Sequence, residues 1–243
     1  MIFSFFKKKQ SLYEPLKVDI HSHIIPAIDD GAKSLDESIV LLKALQDIGY
    51  KKIITTPHIM SDAYKNSASN ISEGLEKLKV KMKEENISID IDVAAEYYLD
   101  DGFYDKIKSS DIMSIEGKYL LFETSYISKP MLLEDMIFAI STAGYIPLMA
   151  HPERYRYIKD FDKEYKRFKE LGVLFQVNLN SFGGYYGSDA KDKANFLSKE
   201  GMIDFLGSDI HHIKQAKMLS KVVLSKEYQK VLSSNTILND TLL

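Results

Sequence analysis

The chain has no cysteine. That absence removes thiolate nucleophiles and cysteine-ligated zinc, while permitting any redox compartment. Phosphate-ester cleavage on such a chain would have to rely on metal. Arginine is scarce, with Arg154, Arg156 and Arg167 the full set and lysine used elsewhere. A formal net charge of -3 argues against nucleic-acid binding driven by overall charge. No apolar run reaches the roughly 20 residues that span a bilayer. The opening "MIFSFFKKK" puts its apolar residues before its lysines, the reverse of a secretory signal, and its apolar part is too short. Residues 1–16 are read as a peripheral segment, and its FSFFKKK stretch as a frayed end or a weak membrane-surface contact. A cytoplasmic protein is expected, touching at most the inner face of the membrane.

What is present is histidine in clusters. All six fall in short motifs: His21 and His23 in "DIHSH", His58 in "TTPH", His151 in "AHPER", His211 and His212 in "SDIHH". Such placement points to a polynuclear metal centre, and hydrolysis leads the chemistry that such centres perform.

Strands and helices alternate along the chain. Strands are predicted in "KVDIHSH", "KKIITTPH", "ISIDIDVAAEYYL", "YLLFETS", "YIPLMAHPER", "VLFQVNLNS" and "IDFLGSD". Helices are predicted from Leu35 to Ile48, Ile71 to Glu85, Met131 to Thr142, Phe161 to Leu171 and Ser188 to Lys199, with helical sequence over most of the remainder. This alternation implies a parallel sheet. The length of 243 residues suits one α/β barrel, and no linker or repeat divides it, so a single domain over 1–243 is expected. Seven βα units suggest an incomplete or distorted relative of the TIM (β/α)₈ barrel.

The candidate ligands sit at strand ends, where parallel α/β folds build their sites. His21 and His23 end the first strand, His58 the second, Glu96 the third, Glu123 the fourth, His151 the fifth, and Asp209 with His211 the seventh. Alternation along a strand turns His21 and His23 to one side, toward a single ion. One of Asp29 and Asp30 could join them. Glu96 and Glu123 are costly to bury unpaired, so each is a ligand or a salt-bridge partner. His151 could instead be a core histidine, and His212 a solvated or supporting one. Arg154 follows His151 closely and could clamp phosphate with its planar fork, or pair with a surface acid. Tyr97, Tyr98, Tyr126, Tyr155, Tyr185 and Tyr186 are mostly packing, with one or two free to line a pocket for an aromatic group.

Together, "DIHSHIIPAIDDGAKSLDES", "TTPH", "AAEYYL", "LFETS", "AHPERY", "QVN" and "GSDIHH" resemble the PHP (polymerase and histidinol phosphatase) superfamily. Within it, they are similar to the bacterial capsule-type protein tyrosine phosphatases, over about Val18 to His212. The resemblance implies a distorted seven-stranded barrel and three divalent ions, manganese foremost and iron, zinc or magnesium as alternatives. It implies the ligands His21, His23, Asp30, His58, Glu96, Glu123, His151, Asp209 and His211. Arg154 matches the family's phosphate-binding arginine, and Arg154, Asp209 and His211 are the expected catalytic residues. The implied substrate is a tyrosine-autophosphorylated kinase of exopolysaccharide or capsule export. Two departures stand out. Ile59 and Met60 replace basic residues after the second-strand histidine, and "HIKQAKM" offers lysines where those enzymes carry an arginine.

The charges agree with this reading. Three divalent ions contribute +6 and the carboxylates of Asp30, Glu96, Glu123 and Asp209 contribute -4, and the remaining +2 matches a phosphate monoester dianion. The expected chemistry is in-line attack on phosphorus by a metal-bound hydroxide, since a bound water can titrate at about 7. The rivals are a small-molecule phosphatase of the histidinol-phosphate type, a metal-dependent amidohydrolase, and a non-catalytic, metal-stabilised binding module.

Overall fold

The computed structural model describes residues 15–109 and 111–243. The FSFFKKK segment therefore lies outside the described residues. Nine named strands occur among the described residues: β1 (Val18–Asp19), β2 (Lys52–Thr55), β3 (His58–Ile59), β4 (Asp90–Val93), β5 (Glu96–Tyr98), β6 (Tyr119–Glu123), β7 (Ile146–Ala150), β8 (Leu174–Asn178) and β9 (Phe205–Gly207). Every pairing between them is parallel. They form a three-stranded sheet, β1-β2-β4, and a six-stranded sheet, β3-β5-β6-β7-β8-β9. The protein is a mixed α/β structure with parallel sheets.

Nine named strands stand where seven were expected because two of the seven are interrupted. Between β2 and β3 lie Thr56 and Pro57, and proline has no amide hydrogen to give a ladder. Threonine side chains take over part of the pairing there. Thr55 Oγ1 accepts the Ile24 amide at 3.2 Å and donates to Ser22 O at 2.8 Å. The second break, at Ala94 and Ala95, separates β4 from β5. Backbone bonds nonetheless run through both breaks, with Ala94 N donating to Thr55 O at 2.9 Å and Glu96 N to Pro57 O at 3.1 Å. The first strand is shorter than expected, so His21 and His23 follow it in extended chain. A parallel bridge joins Ser22 to Ile210, and Asp209 N donates to His21 O at 2.8 Å.

Helices cover the strands. Leu35–Ile48 starts where Ser34 Oγ accepts the Glu37 amide, a side-chain cap that satisfies an otherwise unpaired donor. It stops at Gly49, whose φ of 125° suits glycine, and buries Ile39, Leu41, Leu42 and Leu45. Ala68–Glu84 begins three residues before the predicted start, drawn back by a capping box between Ser67 and Asn70. Leu133–Thr142 starts two residues later than predicted. The short helix Phe103–Ser109 was not anticipated.

Period-two alternation splits the core. Ile53, Leu120, Phe122, Met149, Phe175, Val177 and Leu206 belong to the large cluster packed under the helices. Their neighbours Ile54, Tyr119, Leu121, Leu148, Ala150 and Phe205 belong to a smaller cluster. The same parity, carried along each chain, places His58 with Ile54, Glu96 with Ala94, Glu123 with Leu121, and Gln176 and Asn178 with Leu174. Polar residues thus continue the faces that carry the smaller apolar cluster.

Candidate metal centre

All nine expected ligands come together. Three overlapping groups offer donor atoms within 4.8 Å of one another: His23, Asp30, His58 and His211; His21, His23 and Glu96; His58, Glu96 and Glu123. His151 joins through Nε2, 3.0 Å from Glu96 Oε1 and 3.8 Å from Glu123 Oε2. Asp209 Oδ1 lies 3.5 Å from His21 Nε2, from His23 Nε2 and from His211 Nδ1. The alternation argument holds for the paired histidines, whose Nε2 atoms approach to 3.3 Å.

Several contacts have the geometry of a cation site and not of a hydrogen-bond network. Glu96 Oε2 sits 3.1 Å from His21 Nε2, 3.2 Å from His58 Nδ1 and 3.4 Å from His23 Nε2, yet it makes no hydrogen bond. His58 Nδ1 and His151 Nδ1 are likewise buried without partners. Buried polar atoms are nearly always paired, so Glu96 Oε2 and His58 Nδ1, both orphans and only 3.2 Å apart, mark a place where lone pairs converge on something else. Nitrogen and carboxylate oxygen together suit divalent manganese, iron or zinc. The donor set fits a metal centre.

The electrostatics agree. Burial, with the charges of Glu96 and Asp209 beside it, pushes the Glu123 carboxyl well above its ordinary range. Burial also pushes Glu96 up, but His21 and His58 outweigh it and hold that carboxyl well below its ordinary range. Two carboxylates on paired strands cannot both stay charged cheaply without added positive charge. Burial lowers His58 to about 4, which leaves its ring neutral and able to donate a lone pair.

The backbone is shaped to serve these side chains. His151 (φ 34°) and Asp209 (φ 48°) both occupy the left-handed region, at a cost on the order of 1–3 kcal/mol each. Gly31 lets the "DDGA" turn press against the paired histidines, since a Cβ there would lie 2.1 Å from His23 O. Of the two aspartates, Asp30 enters the ligand group and Asp29 stands behind it. Asp29 Oδ2 accepts from His23 Nδ1 at 2.8 Å and from the His58 amide at 3.2 Å.

Other supporting residues were given no role from sequence, although Gln176 and Asn178 belong to the "QVN" motif of the resemblance. Gln176 Oε1 lies 2.6 Å from His21 Nδ1, and Asn178 Nδ2 donates to Asp209 Oδ2 at 2.6 Å. The first turns the His21 Nε2 toward the cluster, and the second orients the Asp209 carboxylate. The available signal was the Gln-x-Asn spacing on β8, which turns both amides to one face. Gln215 ties the last loop together, accepting the His211 and His212 amides and donating to Asp209 O at 2.9 Å. His212 itself stays at the surface, 3.3 Å from Tyr185 Oη.

Arg154 lies between two tyrosine faces, 4.5 Å from the Tyr126 ring centre and 4.3 Å from that of Tyr186. Its Nη1 donates to Asp209 Oδ2 at 2.9 Å. A buried acid is therefore its partner, and not the surface acid considered from sequence. The turn carrying it is anchored by Glu153 Oε1, which accepts Asn178 N at 3.0 Å and Ser181 Oγ at 2.6 Å. Arg154 opens onto a cavity of about 970 Å³ whose wall includes His58, Glu123, Tyr64, Tyr98, Tyr126 and Tyr186. Of the tyrosines raised from sequence, Tyr97 and Tyr155 are core.

Comparison with known proteins gives a consistent picture. The family described as capsular polysaccharide synthesis, CpsB/CapC, matches residues 17–237. The tyrosine-protein phosphatase YwqE of Bacillus subtilis is 30% identical over 215 residues, 87% of this chain and 85% of its own. The tyrosine-protein phosphatase CpsB of Streptococcus pneumoniae is 26% identical, over 81% of this chain and 83% of its own. A crystal structure described under YwqE and CpsB as unique metal-dependent tyrosine phosphatases superposes with a TM-score of 0.78 at 28% identity, covering 90% of this chain and 96% of that one. A histidinol phosphate phosphatase from Lactococcus lactis shares the fold at a TM-score of 0.51 and 13% identity, over 86% of this chain and 92% of its own.

Proposed function

The chain belongs to the CpsB/CapC family of capsular polysaccharide synthesis, and from that premise we propose that it is a metal-dependent protein tyrosine phosphatase. The observation that carries the proposal is the cavity: a tyrosine-walled space of about 970 Å³ with the histidine–carboxylate cluster and Arg154 in its wall. A phenyl phosphate needs an apolar slot for the ring and positive charge for the dianion, and both border this cavity. Tyr64 adds a ring stacked on His58 at 5.5 Å.

We assign His21, His23, Asp30, His58, Glu96, Glu123, His151, Asp209 and His211 as ligands of three divalent ions, manganese by preference. When bound, the ions supply Lewis acidity toward the phosphoryl oxygens and a water acidified to about neutral pH. The remaining work falls to the chain. Arg154, held flat between Tyr126 and Tyr186 and charge-balanced by Asp209, directs its free N–H groups at the equatorial phosphoryl oxygens. Asp209 couples this clamp to the ligand set through its two oxygens, and His211 stands beside it. Asp29, Gln176 and Asn178 hold their partners in one orientation. The leaving phenolate, with a pKa of about 10, asks little of a general acid.

The two sheets are read as one distorted seven-stranded barrel whose seam is the Ser22–Ile210 bridge, and the chain as a single catalytic domain. The substrate is assigned as an autophosphorylated tyrosine kinase of capsule or exopolysaccharide export, met in the cytoplasm. No helix among the described residues is long and apolar enough to cross a membrane.

The test is phosphate release from a phosphotyrosine peptide and from histidinol phosphate, measured with manganese, after chelation, and after manganese is restored. Metal-restored release from the peptide, with little from histidinol phosphate, is expected. The reverse preference would assign the protein to small-molecule metabolism. No release from either, with metal bound, would remove the phosphatase reading.

A further inference from the structure

The phosphate clamp does not use all the positive charge at the cavity. Arg156 and Lys159 also line it, both are exposed, and neither has an ion-pair partner among the described residues. The chain's other arginines are both paired. Arg154 meets Asp209 at 2.9 Å, and Arg167 meets Glu134 at 2.7 Å. In a chain that otherwise prefers lysine, the one arginine left unpaired faces the substrate cavity.

These two positions are fixed at their backbones and free at their heads. The Arg156 amide donates to Tyr126 O at 2.7 Å, binding the Arg156 loop to the residue that walls the clamp. The Lys159 amide donates to Glu164 Oε1 at 3.0 Å, so this carboxylate receives the amide. Of the acids lining the cavity, Asp189 pairs with Lys193 at 2.7 Å, while Asp30 and Glu123 belong to the ligand cluster. By contrast, Met60 and Ile127 give the cavity apolar wall elsewhere. The result is a cationic stretch of wall next to the clamp whose two heads meet no acid in an ion pair among the described residues.

We propose that Arg156 and Lys159 form a subsite for an anionic side group flanking the phosphotyrosine, a carboxylate or a second phosphate, and so select acidic substrate segments. The proposal rests on the phosphotyrosine reading of the site. Arg156, the planar fork, suits either anion in bidentate fashion, and Lys159 adds a mobile point charge. Both are exposed, so each contributes modestly and salt weakens the effect.

The experiment compares kcat/KM, in manganese-loaded protein, for phosphotyrosine peptides whose flanking residues are Glu, Gln, Lys or phosphoserine. At low ionic strength, a preference for Glu over Gln of about five- to tenfold is expected, falling toward unity at high salt. The Glu and phosphoserine arms show which anion the subsite favours. In the double variant Arg156→Gln/Lys159→Gln the Glu/Gln ratio should fall to near one. In Arg156→Glu/Lys159→Glu the preference should turn to the Lys-flanked peptide, a reversal that structural damage would not produce. A wild-type ratio near one, or a preference that survives both double variants, would overturn the subsite while leaving the phosphatase reading intact. Failure to hydrolyse any of the peptides would overturn both.

Discussion

Two polar regions lie buried among the strands and are built on opposite rules. One is the seam where β1 meets β9. There Asn239 Nδ2 donates to Val18 O at 2.9 Å and Leu206 O at 2.7 Å, and its Oδ1 accepts Leu206 N at 2.9 Å. Asp19 adds two more contacts, accepting Ser208 N at 2.8 Å and Ser208 Oγ at 2.6 Å. The other region is the ligand cluster a few residues further along, where Glu96 Oε2, His58 Nδ1 and His151 Nδ1 have no hydrogen bond at all. Asp19, Ser208 and Asn239 are fully buried, and so is Glu96 at the heart of the cluster. The difference is that the seam is complete as protein, whereas the cluster is complete only with cations. Full pairing marks a structural role and convergent orphans mark a binding one.

The sharpest way to break this contrast is to remove one proposed ligand. His151→Ala should leave the fold intact and cut phosphate release from a phosphotyrosine peptide by more than about a hundredfold, the upper range for losing even an outer partner of a metal. The sample must be shown to hold metal, with far-UV dichroism matching the parent. Retained activity in such a sample would remove His151 from the ligand set.

The seam should respond in the opposite way. Asn239→Ala strips partners from the buried Val18 and Leu206 backbone groups, and leaving such groups unpaired costs about 1–3 kcal/mol each. Urea unfolding should show a loss of about 3 kcal/mol, with kcat/KM per folded molecule close to that of the parent. Manganese at about a hundred times its Kd should stabilise parent and variant alike, by about 2.7 kcal/mol. An Asn239→Ala protein that is fully stable but inactive would erase the distinction between the two regions.

Asp19 sharpens it by pH. Burial, against the hydrogen bonds from Ser208, raises its carboxyl from 3.8 to about 6. Between those values the folded protein holds a proton that the unfolded chain has released. This contribution to stability is therefore complete below about pH 4 and is lost as pH rises through about 6. Asp19→Asn should gain on the parent by about 2–3 kcal/mol between pH 4 and pH 7. Parallel stability curves for the two proteins would show that Asp19 does not carry this shift.

The contrast also explains what was legible in the sequence. Metal ligands are drawn from few residue types and gather at strand ends, so "DIHSH", "AHPER" and "GSDIHH" pointed to the residues that the structure brings together. The helix Leu35–Ile48 matched its prediction because Ser34 and Gly49 punctuate it. Supporting residues are free in type and remote in sequence, so Gln215 and Asn239 read as ordinary polar positions, and Gln176 stood out only within the "QVN" motif, with no role attached. Asn239 sits 33 residues from Leu206, its partner, in a terminal 3₁₀ turn that no periodicity marks. The break at Thr56–Pro57 carried a signal, the proline, but its β-branched run suggested one unbroken strand. The pair Ala94–Ala95 carried none.

The smallest expected effect tests the residues between the two rules. Asp29 is fully hydrogen-bonded, like the seam, yet its partners are proposed ligands. Its Oδ2 accepts from His23 Nδ1 and His58 N, and its Oδ1 accepts Gly31 N at 2.9 Å. Asp29→Asn keeps the shape but turns an N–H₂ toward one set of donors and removes the charge that makes the His23 ring a stronger ligand. Outer partners of this kind are worth about 10–100-fold in metal affinity. The conservative change should fall near the low end, about tenfold weaker manganese binding by calorimetry, with kcat largely restored at saturating metal. Asp30→Asn, which alters a proposed ligand directly, should not be rescued that way. Full rescue of Asp30→Asn alongside a dead Asp29→Asn would exchange the two aspartates' roles.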